Sequence, residues 1–136
     1  MSCRHPYLVL VVCLLFNVPA YASGAGGSTG TSPNYVLLQP AFVVNVTDGD
    51  VVRHMQVKAQ LKLSRPELAE QIEKHKPAIQ HEMVMLLSGR PVAQLRTIQG
   101  KEVLRKEAVA VLQKLLMENT GEPIVEAIYF TEFIIQ

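Results

Sequence analysis

Three histidines lie beyond the first thirty residues: His54, His75 and His81. A zinc site on a helix needs two of them one turn apart, with a third ligand nearby. His75 and His81 are six positions apart with Pro77 between them, and His81-Glu82 has no second histidine one turn on. No metal site is expected. Nucleophilic chemistry has no better footing. The chain has no Gly-x-Ser-x-Gly turn, and Ser88-Gly89 reads as a helix stop. The glycines of 24–30 follow no strand, so they form no phosphate cradle. Glu126 and Glu132 are six residues apart on one strand, roughly 20 Å. That exceeds the separation of a working carboxylate pair. No catalytic residue and no cofactor are expected, and an enzyme is not. Two features bear on binding instead. One is the polar stripe His54, Gln56, Lys58, Gln60 and Lys62. The other is the surplus apolar surface of Ile124, Ile128, Phe130 and Ile134, with Glu132 among it. The stripe has a plain alternative as a solvated sheet face, and the apolar surface as a face covered by helices.

The elements that would carry these residues are bounded by the bulk numbers. The chain has 136 residues, room for one domain. It is 49% apolar and 18% charged, which fits a globular chain. The formal net charge is +1 and Trp is absent, so nothing marks a nucleic-acid partner. Cys3 and Cys13 both fall in the first sixteen residues.

That first segment has the layout of an export signal. Arg4 and His5 precede the apolar run Tyr7–Phe16. Pro19 then breaks the helix, and Ala20-Tyr21-Ala22 presents small residues where a signal peptidase reads. Residues 1–22 read as a signal peptide cleaved before Ser23, or as a short membrane anchor. From Tyr7 to Ala22 a helix would span roughly 24 Å against a hydrocarbon core of about 30 Å. Residues 23–34 are a Gly/Ser-rich flexible linker. Export and a mature chain free of cysteine together point to a bacterial periplasm.

The folded part is expected over 35–136. Tyr35–Val46 reads as a strand with Pro40 at a bend or edge. Asp48-Gly49 signals a hairpin turn. Val51–Leu63 alternates: Val51, Met55, Val57, Ala59, Leu61 and Leu63 face one way and the polar stripe the other, with Arg53 out of pattern. Ser64-Arg65-Pro66-Glu67 fits a capping box for a helix that Pro77 must kink or split and that Ser88-Gly89 ends. Val92–Gln99 reads as a connector. Lys101–Asn119 is a second helix with the stripe Leu104, Ala108, Val111, Leu112 and Leu115, a Glu102–Lys106 pair and Gly121 as its stop. Pro123–Gln136 is β-branched and aromatic and reads as one strand. Alternation sends Val125, Ala127, Tyr129, Phe133 and Ile135 to one face, and so apolar a strand is expected inside the sheet, paired on both sides. The fold class is α+β: a small antiparallel sheet in β-β-α-α-β order with helices on one face.

The closing stretch Ile128-Tyr129-Phe130-Thr131-Glu132-Phe133-Ile134-Ile135-Gln136 resembles the C-terminal signature of the flagellar basal-body-associated FliL family. Other pieces resemble the family in order. Leu38-Gln39-Pro40 with Val44-Asn45-Val46 is similar to its first strand, and His54-Met55-Gln56-Val57 to its second. Pro77-Ala78-Ile79, with Met85-Leu86-Leu87-Ser88, resembles its Pro-led helix. Gly100-Lys101-Glu102-Val103-Leu104-Arg105 resembles its Gly-Lys-x-x-Leu helix start. The resemblance implies a non-enzymatic periplasmic protein beside the flagellar stator (proteins of the MotA and MotB type) that supports torque and load response. It also implies a domain similar to stomatin-type domains, assembly into a homo-oligomeric ring, and association with the inner membrane. Residues His54, Gln56, Lys58 and Glu132 are then the candidate partner-facing positions. Family members usually retain an uncleaved membrane helix, whereas Tyr7–Ala22 reads as cleavable. The alternative function is a secreted envelope-binding module of the same fold without a motor role.

Overall fold

The computed structural model describes residues 34–136. The export segment expected over 1–22 and all of the linker expected over 23–34 except Asn34 lie outside the described residues. The elements run in the order β1 (Tyr35–Asp48), β2 (Val51–Leu63), a single 3-10 turn (Pro66–Leu68), α1 (Ala69–Lys74), α2 (Lys76–Leu87), α3 (Val92–Leu95), α4 (Ile98–Thr120) and β3 (Val125–Ile135). The three strands form one antiparallel sheet in the order β1-β2-β3. Helices cover one face, as the α+β reading expects.

The hairpin forms where Asp-Gly signals it. Asp48 pairs with Val51, and Gly49 takes the left-handed φ of 64° that the tight turn demands. Arg53, out of pattern in the sequence, is half-buried and bonds Asp48 at 2.6 Å across the hairpin end. Val51 does not reach the core: it is 56% exposed, because the helical layer covers β2 only from Met55 onward. From there Met55, Val57, Ala59, Leu61 and Leu63 are fully buried, and β2, the central strand, supplies the floor of the core.

The last strand departs from its expected place. Among the described residues it pairs only with β2, which makes it an edge strand. Its strict alternation also fails. The register slips between the pairs Lys58–Glu132 and Ala59–Phe130, and again between Lys62–Ala127 and Leu63–Val125. Thr131 and Glu126 are therefore bulged residues, each shifting the phase by one. The side chains opposite β2's core row are Val125, Ile128, Phe130, Phe133 and Ile135. The two slips keep that row apolar, which unbroken alternation would not.

The capping box does not form. The cap position before the 3-10 turn is Arg65, with no side-chain bond. Ser64 instead extends the sheet ladder: its N–H donates to Ile124 O at 2.9 Å and its hydroxyl to Pro123 O at 3.1 Å. Pro66 has no N–H for such a cap, and the start of β3 offers two carbonyls in its place. Pro77 does split the helix. Alpha1 ends at Lys74, His75 sits between (φ −99°, ψ 10°), and Pro77 occupies the first turn of α2, where a missing N–H costs nothing. Alpha4 begins three residues earlier than expected, because Thr97 caps it: its Oγ1 accepts from the Gly100 N–H at 2.9 Å. The helix buries Leu104, Ala108, Leu112 and Leu116, while Val111 and Leu115 are half-buried flanks. Gly121 ends it at φ 78°.

Candidate functional site

The face of the sheet turned away from the helices has no covering layer among the described residues. Its rows run across the three strands. Asn45, His54 and Gln136 make one row: Asn45 Oδ1 and His54 Nδ1 lie 2.8 Å apart, and the His54 and Gln136 backbones exchange two hydrogen bonds. Val43, Gln56 and Ile134 make the next, with Val43 66% exposed. Further along, Lys58 Nζ donates to Glu132 at 2.8 Å and Lys62 Nζ contacts Glu126 at 2.8 Å. The hydrogen bond from Lys62 to Glu126, with the charge of that carboxylate, raises the lysine pKa above its ordinary value. Tyr35 and Tyr129 close the far end with ring centroids 6.0 Å apart. This face is an apolar and amide surface whose two lysines are neutralised by two glutamates. Glu126 and Glu132 thus serve separate cross-strand ion pairs and do not form a carboxylate pair.

A second feature lies where α4 meets the edge strand. Ile98, Lys101, Glu102, Arg105, Tyr129, Phe130 and Phe133 line an open groove of about 530 Å³. The Phe130 and Phe133 rings meet edge-to-face at 5.2 Å, and Lys101 Nζ lies 5.3 Å from the Phe133 ring centroid. Glu102 pairs with Arg105 through two hydrogen bonds of 2.8 and 2.6 Å, not with Lys106 as expected. The planar guanidinium fork matches a carboxylate in a way an ammonium cannot. That bond holds the Glu102 carboxyl below its usual pKa. Gly100 lets α4 approach. A Cβ there would lie 1.9 Å from Gln94 O and 2.9 Å from Thr97 Oγ1.

The sequence model of the family described as "Flagellar basal body-associated protein FliL" matches residues 35–136. The chain belongs to the FliL family. A relative, the "Flagellar protein FliL" of Aquifex aeolicus (strain VF5), is 27% identical over 99 residues, which cover 73% of this chain and 59% of that protein. The chain thus spans somewhat over half the length of that relative.

Most of the positions that carry the FliL resemblance fall into two groups in space. Lys101, Phe130 and Phe133 line the groove, Gly100 and the buried Leu104 belong to the same helix as Lys101, and Thr131 is at the bulge of β3. Asn45 and Gln136 flank His54 on the open face. Leu87 and Ser88 lie behind that end: Leu87 is buried, the Ser88 hydroxyl donates to Val84 O, and the next residue, Gly89, donates its N–H to Asn45 O at 2.8 Å. Pro40 sits on β1 at the register slip between Leu38 and Phe42, where the preceding Gln39 carbonyl accepts from Gln80. Pro77 opens α2. Of the partner-facing candidates, His54, Gln56, Lys58 and Glu132 all lie on the open face. His75 and His81 join no cluster of three metal-ligating side chains among the described residues. Sequence reading missed Thr97 as the cap of α4, and Ile98 and Arg105 as parts of the groove. A Thr three residues before an N–H that needs a partner was the available signal for the first.

Proposed function

We propose that this FliL-family chain is a non-enzymatic accessory protein of the flagellar basal body. It works in the periplasm beside stator proteins of the MotA and MotB type and supports torque and load response. The observation that carries this reading is the family match over the whole of 35–136, which takes in every described strand and helix. Residues 1–22 are proposed to direct export or anchor the chain in the inner membrane, and 23–34 to act as a tether to the folded domain. Homo-oligomeric assembly around the stator belongs to the same proposal. The neutral, mixed open face bearing His54, Gln56, Lys58 and Glu132 supports contact with protein rather than with nucleic acid or anionic lipid.

The test is deletion of the gene, with swimming, swarming under load and stator recruitment measured in the deletant and in a complemented strain. Loss of load response, restored by the gene, is expected. Normal motility with unchanged stator occupancy would overturn the motor role and favour the envelope-binding alternative. Intact mass of the exported protein decides the leader: a chain starting at Ser23 means cleavage, one retaining Met1 an anchor.

A further inference from the structure

The two edges of the sheet are treated differently. Among the described residues the outer edge of β1 is closed at three places. Gln80 donates to Gln39 O, Gly89 N–H to Asn45 O, and Thr47 N–H to Arg90 O. Among the described residues the outer edge of β3 is closed once, at its start, where Gln113 donates to Val125 O at 2.8 Å. From Ala127 to Ile135 its backbone has no hydrogen-bond partner among the described residues outside β2. Between the two bulges, Ala127–Phe130 is regular strand. Beside it lies the groove, with Ile98 84% exposed and Tyr129 44% exposed. An open strand edge next to an apolar groove is the geometry that adds a further strand.

The charges indicate what that strand carries. Lys101 reaches over Phe133 into the groove and makes no ion pair among the described residues, whereas Arg105 beside it is engaged by Glu102. A second copy of this chain supplies no match. The acidic residues of β3, Glu126 and Glu132, are already bonded to Lys62 and Lys58, and the β1 edge of a second copy is closed by the contacts above. We propose that the free edge of β3 takes up an extended, largely apolar segment of a partner protein as a fourth strand. A carboxylate on that segment meets Lys101. This goes beyond the motor role and stands or falls separately from it.

The test uses the purified chain and a capped peptide of about seven residues that alternates Val and Thr around a central Glu. Backbone amide shifts and hydrogen exchange are followed by NMR, and affinity by fluorescence anisotropy. Added peptide is expected to shift and protect amides within Ala127–Ile135 and to perturb Ile98–Arg105. Replacing the peptide Glu by Gln weakens binding about two- to fivefold, as for an exposed ion pair. Lys101→Met abolishes that preference while leaving the chain's own spectrum folded. No binding at about 1 mM peptide, equal affinity of the Glu and Gln peptides, or shifts confined to β1 or the open face would each overturn the proposal. So would protection of the β3 edge by self-association without peptide. The Glu and Gln peptides need no protein variant, so the conclusion does not depend on Lys101→Met folding.

Discussion

Gly100→Ala sets two physical effects against each other. Within a helix, Ala is favoured over Gly by about 1 kcal/mol, so propensity alone predicts a more stable chain. The structure predicts the reverse. A Cβ at position 100 would stand 1.9 Å from Gln94 O and 2.7 Å from Gln94 C, both backbone atoms that no side-chain rotation can move aside. It would also lie 2.9 Å from Thr97 Oγ1, the cap of α4. Relief requires the start of α4 to move away from α3. Forced overpacking costs about 1–3 kcal/mol, and a lost Thr cap adds about 1 kcal/mol. The propensity gain offsets only part of this, which leaves a loss of about 1–3 kcal/mol. In a domain of this size that lowers Tm by roughly 5–20 °C. Urea unfolding followed by circular dichroism measures it, with Thr97→Ala as the reference for loss of the cap alone. Thr97→Ala should cost about 1 kcal/mol. The double variant should cost less than the sum, because both changes act on one hydrogen bond. A Gly100→Ala variant as stable as the parent, or more so, would refute the account of how α4 is seated.

Removing Phe133–Gln136 takes away two side chains that cover Met55 and Val57, together with the exchange of backbone hydrogen bonds between His54 and Gln136. Full burial of such a side chain is worth about 1.5–3 kcal/mol. Phe133 and Ile135 are only half-buried, so about half that is lost for each. The expected result is a truncated chain that unfolds at clearly lower urea with a broadened transition; melting within a degree or two of the parent would make this end of β3 peripheral. For pH, Glu102 is held below its ordinary value of 4.5 by the Arg105 bond. Its contribution is therefore present above that value and disappears as pH falls through the lowered one. Lys62 is raised above 10.5 by Glu126, so its contribution is present below that value and is lost as pH rises through the raised one. Glu102→Gln should accordingly converge with the parent in acid and Glu126→Gln in alkali, read as urea midpoints across pH. Both pairs are exposed, so the differences are small; a gap that widens toward those limits would reverse the assignment.

The parts of the fold that were legible are those whose reasons are local. Beta2 alternates because one face is core and the other wet, and its buried row from Met55 to Leu63 follows from period two alone. Pro77 splits the helix for a reason carried by its own ring. What failed had its reason elsewhere in the chain. Ser64 looks like a cap until the carbonyl of Pro123, 59 residues away, is placed beside it. The apolar content of β3 suggests pairing on both sides. It reflects instead one core-facing row and a second row on an open face, since both Tyr129 and Ile134 are substantially exposed. Composition reports how apolar a strand is, not how many neighbours it has.

The bulges at Glu126 and Thr131 link that failure to the site. Neither has a local signature, because both residues sit in a run that alternates acceptably without them. The Thr131 bulge brings both Phe130 and Phe133, an odd number of residues apart, onto the core side, while Glu126 and Glu132 stay beside β2's lysines. Unbroken alternation would place one of those rings on the open face and leave Lys101 without the edge-to-face pair beside it. The groove therefore depends on the Thr131 bulge, and the close seating of α4 against Gln94 depends on Gly100. Two positions that resemble the family only as letters acquire separate physical duties: one sets the phase of the strand, the other the approach of the helix that faces it.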